Sequence, residues 1–370
     1  MKSSILSRKL SELDRFEGQR IEEGDYLYVS KSRRAALLNN PYLESGESIC
    51  QWVGFADGKP AGFNYSFPIN VWADGKVYGS TTGSSLNVVE WARKTDLGLI
   101  LPAKGVESAS KDGIAIAASC SQMAVPLHRV NGYKFFLFPR YIALRRCRPV
   151  IEMVLPQWLV KPMAFLGDLV LCTYFKALAL LAFKLLRGYS VVEVQSGDEN
   201  GHRVMSDIVA KDTHRFREDH DPSWFKWHMT NSFSEDGPCH GYLLKSKKDG
   251  QCVAFGLTKR RFHERASSRG FKNVWLSSIM EWGALPGHAA RLKGLVLALI
   301  LKSAGDCDAI ELATDDESLG KFARSIGMRK VGDSNFGVKV MKNFPLYGDK
   351  AIKEQSNWRV RPGMGDNALS

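Results

Sequence analysis

The second half of this 370-residue sequence repeats the plan of the first. Around Asn40 the chain reads ALLNNPYLESGESICQWVGFADGKPAGF, and around Asn231 it reads FKWHMTNSFSEDGPCHGYLLKSKKDGQCVAF. Both segments spell a helix ending in Asn, then a strand, a DG turn and a second strand. In Asp57-Gly58 and Asp249-Gly250 the glycine supplies the positive φ that a hairpin turn needs. Asn40 and Asn231 stand 191 positions apart, Phe63 and Phe255 192, Arg93 and Arg291 198, and Gly132 and Gly327 195. An offset this steady across four features implies one structural unit encoded twice. The length also exceeds what one hydrophobic core organises, so two units are expected on size as well.

Each copy predicts the same order: helix, antiparallel meander, Arg-containing turn, helix, strand, helix and Gly-containing turn. In the first copy, strands near 50–56, 60–72 and 76–90 precede the turn RKTDLG, a helix, the strand GIAIAAS and the helix before VNGYKFF. In the second, strands near 241–247, 252–261 and 272–284 precede RLKGLV, its helix, the strand AIELAT and the helix ESLGKFARSIGMRKV. The fold class is therefore α+β, with a mixed, mostly antiparallel sheet flanked by helices. The divisions that follow are an extension 1–25, a first domain 26–148, a helical linker 149–188, a second domain 189–345 and a tail 346–370. The tail ends in RPGMGDNALS and is expected to be disordered, as chain ends commonly are.

Residues 160–187, VKPMAFLGDLVLCTYFKALALLAFKLLR, form the most apolar stretch, yet no uncharged run in it exceeds seven residues, too short to span a bilayer. At about 100° per residue, Lys161, Asp168, Lys176, Lys184 and Arg187 fall on one side of a helix, with a broad apolar face opposite. Two readings stay open. One is a helix, or two broken near Gly167, packed between the domains; the other is an amphipathic element in peripheral contact with a membrane. The net charge of +12 points to acidic partners such as anionic lipid, an acidic glycan or cofactor phosphates. Its densest clusters are Arg145, Arg146 and Arg148, then Lys259, Arg260, Arg261, His263 and Arg265. No helix-turn-helix, RNP or zinc-finger pattern accompanies them, which argues against nucleic acid as a partner. Seven cysteines, odd in number and without CxxC spacing, argue against a disulfide framework or a structural zinc site, and no metal is expected. The segment MKSSILSRKLSELDRF is broken by charges and lacks the apolar run of a secretory signal. The expected location is the cytoplasm, with the inner membrane face as a peripheral site.

The order of elements, with a degenerate R-x-x-G-x-G/A after the fourth strand and a helix ending in a Gly-Tyr or Gly-Met turn, resembles the Gcn5-related N-acetyltransferases (GNAT). The resemblance covers two tandem copies over about residues 26–345. Tandem copies are similar to mycothiol synthase and the peptidoglycan aminoacyl transferases. W-x-x-W-x-x-x-N from Trp224 to Asn231 resembles tandem acyltransferases associated with envelope polysaccharides. What this implies is an acetyl-CoA or other acyl-CoA co-substrate, its diphosphate resting on amides bared at a helix start where glycine permits close approach. In the second copy the implied cradle is Arg291, Lys293, Gly294, Leu295 and Val296, with Val296 where a small residue is usual. In the first, RKTDLG puts Asp96 at the glycine position. A carboxylate about 5 Å from a phosphate charge costs on the order of 3 kcal/mol at an effective dielectric of about 20, against roughly 0.3–1 kcal/mol from the dipole. Repulsion wins, so Asp96 is expected to cap its helix, the first copy to shape the substrate cleft, and the second to carry the chemistry.

By the same resemblance an amine attacks the thioester, a backbone N–H of the fourth strand polarises the carbonyl, a base takes the proton and a tyrosine protonates the thiolate. Glu281, at the end of VWLSSIMEWGA, and His288 are the candidate bases; Glu90 holds a comparable place in NVVEWA. The tyrosine is absent, with Phe322 and Leu127 in its two places. Either the thiolate departs unaided, which a thiol pKa of about 8.5 tolerates, or the reaction is not acyl transfer. The implied function is an acyl-CoA-dependent N-acyltransferase acting on an amine such as an amino sugar in envelope or exopolysaccharide synthesis. Two alternatives stand beside it: a catalytically silent tandem protein that binds a glycan precursor or a partner, and an aminoacyl transferase of the peptidoglycan type using charged tRNA.

Overall fold

The computed structural model describes residues 2–16, 29–46, 48–107, 113–234, 236–265 and 272–365. Strand β1 (Ser3–Lys9) and helix α1 (Lys31–Leu38) lead into the first meander, β2 (Ile49–Ala56), β3 (Lys59–Ala73) and β4 (Lys76–Val88). Helix α2 (Leu97–Glu107), β5 (Ile114–Ala118), α3 (Ala124–Val130) and β6 (Lys134–Leu144) complete the first half. A short α4 (Arg148–Ile151) and the long α5 (Gln157–Leu185) connect to β7 (Tyr189–Val194), α6 (Glu199–Ala210), β8 (Phe216–Glu218) and α7 (Pro222–Thr230). The second meander is β9 (His240–Ser246), β10 (Cys252–Arg265) and β11 (Lys272–Ala284). It is followed by α8 (Ala289–Ser303), β12 (Ala309–Ala313), α9 (Glu317–Ser325) and β13 (Arg329–Val340). The repeated order is the one the sequence implies. Asp57 and Gly58 take φ of 48° and 77°, the two-residue turn that links β2 to β3.

All strands but β8 form one mixed sheet in the order β1-β2-β3-β4-β5-β13-β6-β12-β11-β10-β9-β7, and β8 pairs with β3. The two halves exchange their last strands. β6, from the first half, lies antiparallel to β12 of the second (Ala309↔Leu144 to Ala313↔Arg140), and β13 lies antiparallel to β5 of the first (Phe336↔Ala118 to Val340↔Ile114). The exchanged strands also pair with each other, with Phe336 opposite Phe136. Divisions drawn at 148 and 345 therefore mark repeated sequence rather than separately closed sheets.

The W-x-x-W-x-x-x-N residues hold the halves together. Asp221 caps α7 by accepting the Trp224 N–H at 2.7 Å, and Pro222 fills the first turn, where no N–H is needed. Trp227 Nε1 then donates to Ala36 O at 2.8 Å, and Asn39 Nδ2 donates to Asn231 Oδ1 at 3.0 Å.

Helix α5 is unbroken past Gly167, where an added Cβ would stand 2.6 Å from Cys147 Sγ. It is apolar on both faces rather than on one. Phe175, Leu178 and Ala182 join the core formed by α8 and α9, while Trp158 and Phe183 on the opposite face are 76% and 77% exposed. By length and composition this helix could cross a membrane, although the short runs between its charges argue otherwise.

The expectation of a disordered tail is corrected as far as Gly365. Trp358, Val360 and Met364 are fully buried in the core of the first half, with Phe136, Phe216 and Phe336, and Trp358 Nε1 donates to Ile352 O at 2.9 Å. Residues 366–370 lie outside the described residues.

Candidate functional site

Each half contains a place where two neighbouring parallel strands part. β4 and β5 are paired only at Thr81↔Ala115 and Thr82↔Ile116, and β11 and β12 only from Leu276↔Ala309 to Ile279↔Leu312. Beyond those pairs the strands splay, and each splayed strand of a meander carries a bulge. In β4, Tyr65 faces Ser84 and Phe63 faces Asn87, so Ser85 and Leu86 share Asn64 as a partner, and Ser85 has φ of 54°. In β11, Leu257 faces Glu281 and Thr258 faces Ile279, leaving Met280 as the extra residue. A bulge takes a backbone group out of the ladder and turns it toward whatever fills the splay.

The two openings differ in what fills them. In the first half the gap is a cavity of about 260 Å³, lined by Asn64, Ser84, Ser85, Ser119, Cys120 and His128 among others. It shares the wall Ser119–Ser121 with a cavity of about 360 Å³ between the halves, lined by Arg140, Arg261, His263, Glu311, Asp333 and Asn335 among others. Asn335 fixes that wall: its Nδ2 donates to Cys120 O at 2.7 Å and its Oδ1 accepts the Cys120 N–H at 2.9 Å.

Charge in the second cavity is arranged around Glu311. Arg140 Nε donates to its Oε1 at 2.6 Å, the Ser278 hydroxyl to its Oε2 at 2.8 Å, and Arg261 Nη2 lies 3.3 Å from Oε2. Burial would raise the Glu311 pKa; the Arg140 and Arg261 charges outweigh it and hold the carboxylate below its ordinary range. Glu311 is thus a fixed anion and a poor base. His263 is the opposite case. Burial, and next the Arg261 charge, lower its pKa, so the imidazole is neutral at pH 7, and its buried Nε2 has no hydrogen-bond partner among the described residues. In the first cavity His128, whose pKa burial lowers to about 4, is likewise neutral, with no partner for its Nδ1 among the described residues.

In the second half the opening is closed by the chain's own tail. Gly363 N–H donates to Met280 O, on the bulge, at 2.7 Å. The Arg361 guanidinium sits 4.7 Å from the centre of the Trp282 ring and reaches Asp315, past the end of β12, at 3.4 Å. Arg359 donates to Glu281 Oε1 and, at 2.7 Å, to Trp282 O, and its Nε lies 3.1 Å from Asp212.

The residues singled out in the sequence fall around this closed opening, and their expected roles are corrected accordingly. Glu281 is completely buried, ion-paired to Arg359 and 3.5 Å from His220 Nδ1, so it is a structural anion rather than an accessible base. His288 is the N-cap of α8; its carbonyl accepts the N–H groups of Arg291 and Leu292 at 2.9 and 3.0 Å. The cradle expected at 291–296 is absent, because α8 starts two residues before Arg291 and the amides of Lys293, Gly294, Leu295 and Val296 lie inside the helical ladder. Gly294 is a packing glycine: a Cβ there would stand 2.7 Å from Leu186 Cδ2. Leu295 and Val296 are core residues, and Arg291 Nη1 ties α8 to Leu185 O at 2.5 Å. Lys293 is half-buried on α8. In the first half, Asp96 precedes α2 and its carbonyl accepts from Leu99 and Ile100, but its carboxylate is exposed and makes no hydrogen bond among the described residues. The expected side-chain cap is therefore missing.

Beneath the tail, Glu218 receives hydrogen bonds from Trp224 Nε1 at 2.8 Å and Gly365 N–H at 2.7 Å. Burial dominates these bonds and raises its pKa to about 8. Since the folded state then holds a proton that the unfolded chain releases near pH 4.5, this contribution is fully present below pH 4.5 and is lost as pH rises to 8. Thermal melts from pH 5 to 9 should show that decline in the wild type and a flatter profile in Glu218→Gln, which keeps an acceptor. An equally steep decline in the variant would remove Glu218 as its source.

Among the described residues no cluster of His, Cys, Asp and Glu is arranged to hold a metal ion, and all seven cysteines are free thiols.

No family model matches the sequence, and no curated protein matches it either. Solved structures do match over most of the chain. Saccharomyces cerevisiae N-myristoyltransferase, with bound myristoyl-CoA and inhibitors, superposes with a TM-score of 0.57 at 12% identity, covering 96% of this chain and 85% of that one. A protein of unknown function from Enterococcus faecalis, described as a probable N-acyltransferase, gives 0.53 at 10% identity, over 93% and 74%. A GCN5-related N-acetyltransferase from Anabaena variabilis gives 0.53 at 10% identity, over 92% and 73%.

Proposed function

We propose that this chain, which has the tandem GNAT fold, is an acyl-CoA-dependent N-acyltransferase whose reaction takes place in the cleft of the first half. The observation that carries the proposal is the asymmetry of the two openings. One strand gap is filled by none of the described residues, is lined by small side chains and joins a cavity holding a neutral imidazole; its counterpart is stoppered by residues 358–363. The sequence resemblance implies chemistry in the second half; the closed second opening favours the first instead.

The first cleft suits the narrow acyl-pantetheine arm of acyl-CoA. Ser84, Ser85, Ser119 and Ser121 surround it with short polar side chains, and at Gly83 an added Cβ would meet nothing within 4 Å. Acyl-CoA, when bound, supplies a thioester carbonyl as the electrophile. The bulge at Ser85 and Leu86 provides backbone donor capacity for the oxygen of that carbonyl. His263 Nε2, neutral and without a hydrogen-bond partner among the described residues, accepts the proton the attacking amine loses as the C–N bond forms; the C–S bond then breaks, and the imidazolium returns that proton to the departing CoA thiolate. Glu311, pinned between two arginines, keeps that end of the cleft polar without competing for the proton. The acceptor is an amine; an amino sugar of an envelope or exopolysaccharide precursor is the class the sequence resemblance suggests.

Calorimetric titration with acetyl-CoA and myristoyl-CoA tests this reading. Wild-type protein should bind at least one of them, and Ser121→Trp, at the exposed wall shared by both cavities, should abolish the heat. Binding that survives Ser121→Trp, or no heat at millimolar ligand, would count against it. The exposed Asp96 carboxylate, at the start of α2, opposes a diphosphate there. Replacing it with glycine should tighten acyl-CoA binding about 3- to 10-fold, the scale of a solvent-screened charge at a helix end. Unchanged affinity would mean that the diphosphate lies elsewhere.

A further inference from the structure

We infer that α5 is an in-plane membrane anchor, lying on an anionic lipid surface with its outer face in the headgroup and upper acyl region. The outer face is predominantly apolar, with Lys176 set within it. At about 100° per residue, Trp158, Phe165, Leu166, Leu169, Leu180 and Phe183 fall within an arc of about 100°, and each of them is 54% or more exposed. An apolar surface of this extent on a helix of 29 residues is not what a water-facing helix presents.

The charges beside it select the partner. From Arg145 to Arg187 the chain has seven basic residues (Arg145, Arg146, Arg148, Lys161, Lys176, Lys184, Arg187) and two acidic ones (Glu152, Asp168). Both acids are engaged locally: Glu152 pairs with Arg148 at 2.7 Å, and Asp168 accepts the Cys147 N–H at 2.7 Å. Lys161, Lys176, Lys184 and Arg187 have no acidic partner among the described residues. An apolar face with Lys176 set in it and Lys161 and Lys184 toward its two edges matches the interface of a bilayer rich in acidic headgroups, where long basic side chains snorkel up to the phosphates.

The same structure argues against a transmembrane orientation. Opposite the exposed arc, Phe175, Leu178 and Ala182 are built into the core with α8, so the helix cannot be surrounded by lipid without dismantling that core. A span would also place Lys176 within the hydrocarbon. The helix therefore lies flat, about 43 Å long at 1.5 Å per residue.

The test is flotation of the full chain with vesicles of phosphatidylcholine alone, or with one quarter phosphatidylglycerol. The expected result is binding to the anionic vesicles at least 10-fold tighter than to neutral ones. Phe165→Glu/Phe183→Glu should abolish it, and Lys176→Glu/Lys184→Glu should weaken it 5- to 10-fold on anionic vesicles only. Both pairs are surface-exposed, and thermal melts should show unchanged folding. The inference is overturned if folded wild-type protein fails to float, or if Phe165→Glu/Phe183→Glu floats as well as wild type. It is overturned too if sedimentation shows a dimer that this variant dissociates, because a second copy then covers the face. Vesicle-bound protein that resists alkaline carbonate extraction would overturn the in-plane orientation in favour of a span.

Discussion

Arg359→Met is expected to reduce the free energy of unfolding by about 3–5 kcal/mol, the range for removing one partner of a buried ion pair. Arg359 and Glu281 are both inaccessible to solvent, and Arg359 also serves Asp212 and Trp282 O. Methionine fills most of the volume but leaves the Glu281 charge in the interior with only the Trp282 N–H and more distant groups facing it. Urea denaturation followed by tryptophan fluorescence measures the change. The double variant Arg359→Met/Glu281→Gln should regain at least half of the loss, since the stranded charge is gone. A loss below 1 kcal/mol for the single variant would mean that water reaches this pair and that the tail does not seal the second opening.

His263→Ala should lower kcat by 10²- to 10³-fold, the usual contribution of a positioned base, with acyl-CoA affinity changed less than 3-fold. The wild-type profile of kcat/KM should rise through a pKa below the ordinary histidine value, as burial and the Arg261 charge dictate, and level off by neutral pH. That acid limb should vanish in the variant. Glu281→Gln serves as the contrasting case: it should alter stability without moving the limb. An active His263→Ala enzyme with an unshifted profile would leave the proton to another group, of which His128 in the adjoining cavity is the nearest in kind.

The order of elements was legible because local signals mark it. Alternating strands, Asp57-Gly58 and the steady spacing of the two copies all act over short stretches of chain. The exchange of β6 and β13 was not legible, since nothing in either strand states which partner it prefers; β5 and β12 offer them similar edges. At α8, the glycine in RLKGLV drew the cradle to Gly294. The helix start was set earlier, at His288, and the glycine answered a steric need against Leu185 and Leu186. His263 was visible only as one member of the run from Lys259 to Arg265. Alternation along β10 places Lys259, Arg261 and His263 on one face, and the first of these is fully buried. Period-two reading of that run would have separated cleft residues from solvent-facing ones. Position at the chain end says little about order in the tail, where Trp358, Val360 and Met364 are the kind of residues that seek a core.

The strand exchange has a bearing on how such a chain comes to be. As synthesis proceeds, β5 has β4 on one side but waits for β13 on the other until residues near Val340 have emerged, so the amino half cannot finish folding while the ribosome is still translating most of the carboxyl half. A single ancestral copy could have closed the same ladder with its own last strand or by swapping it with a twin. The exchange gives the present polypeptide the topology of a domain-swapped dimer written as one chain. One half's groove is filled by none of the described residues, while the other's is closed by residues 358–363 of the same chain.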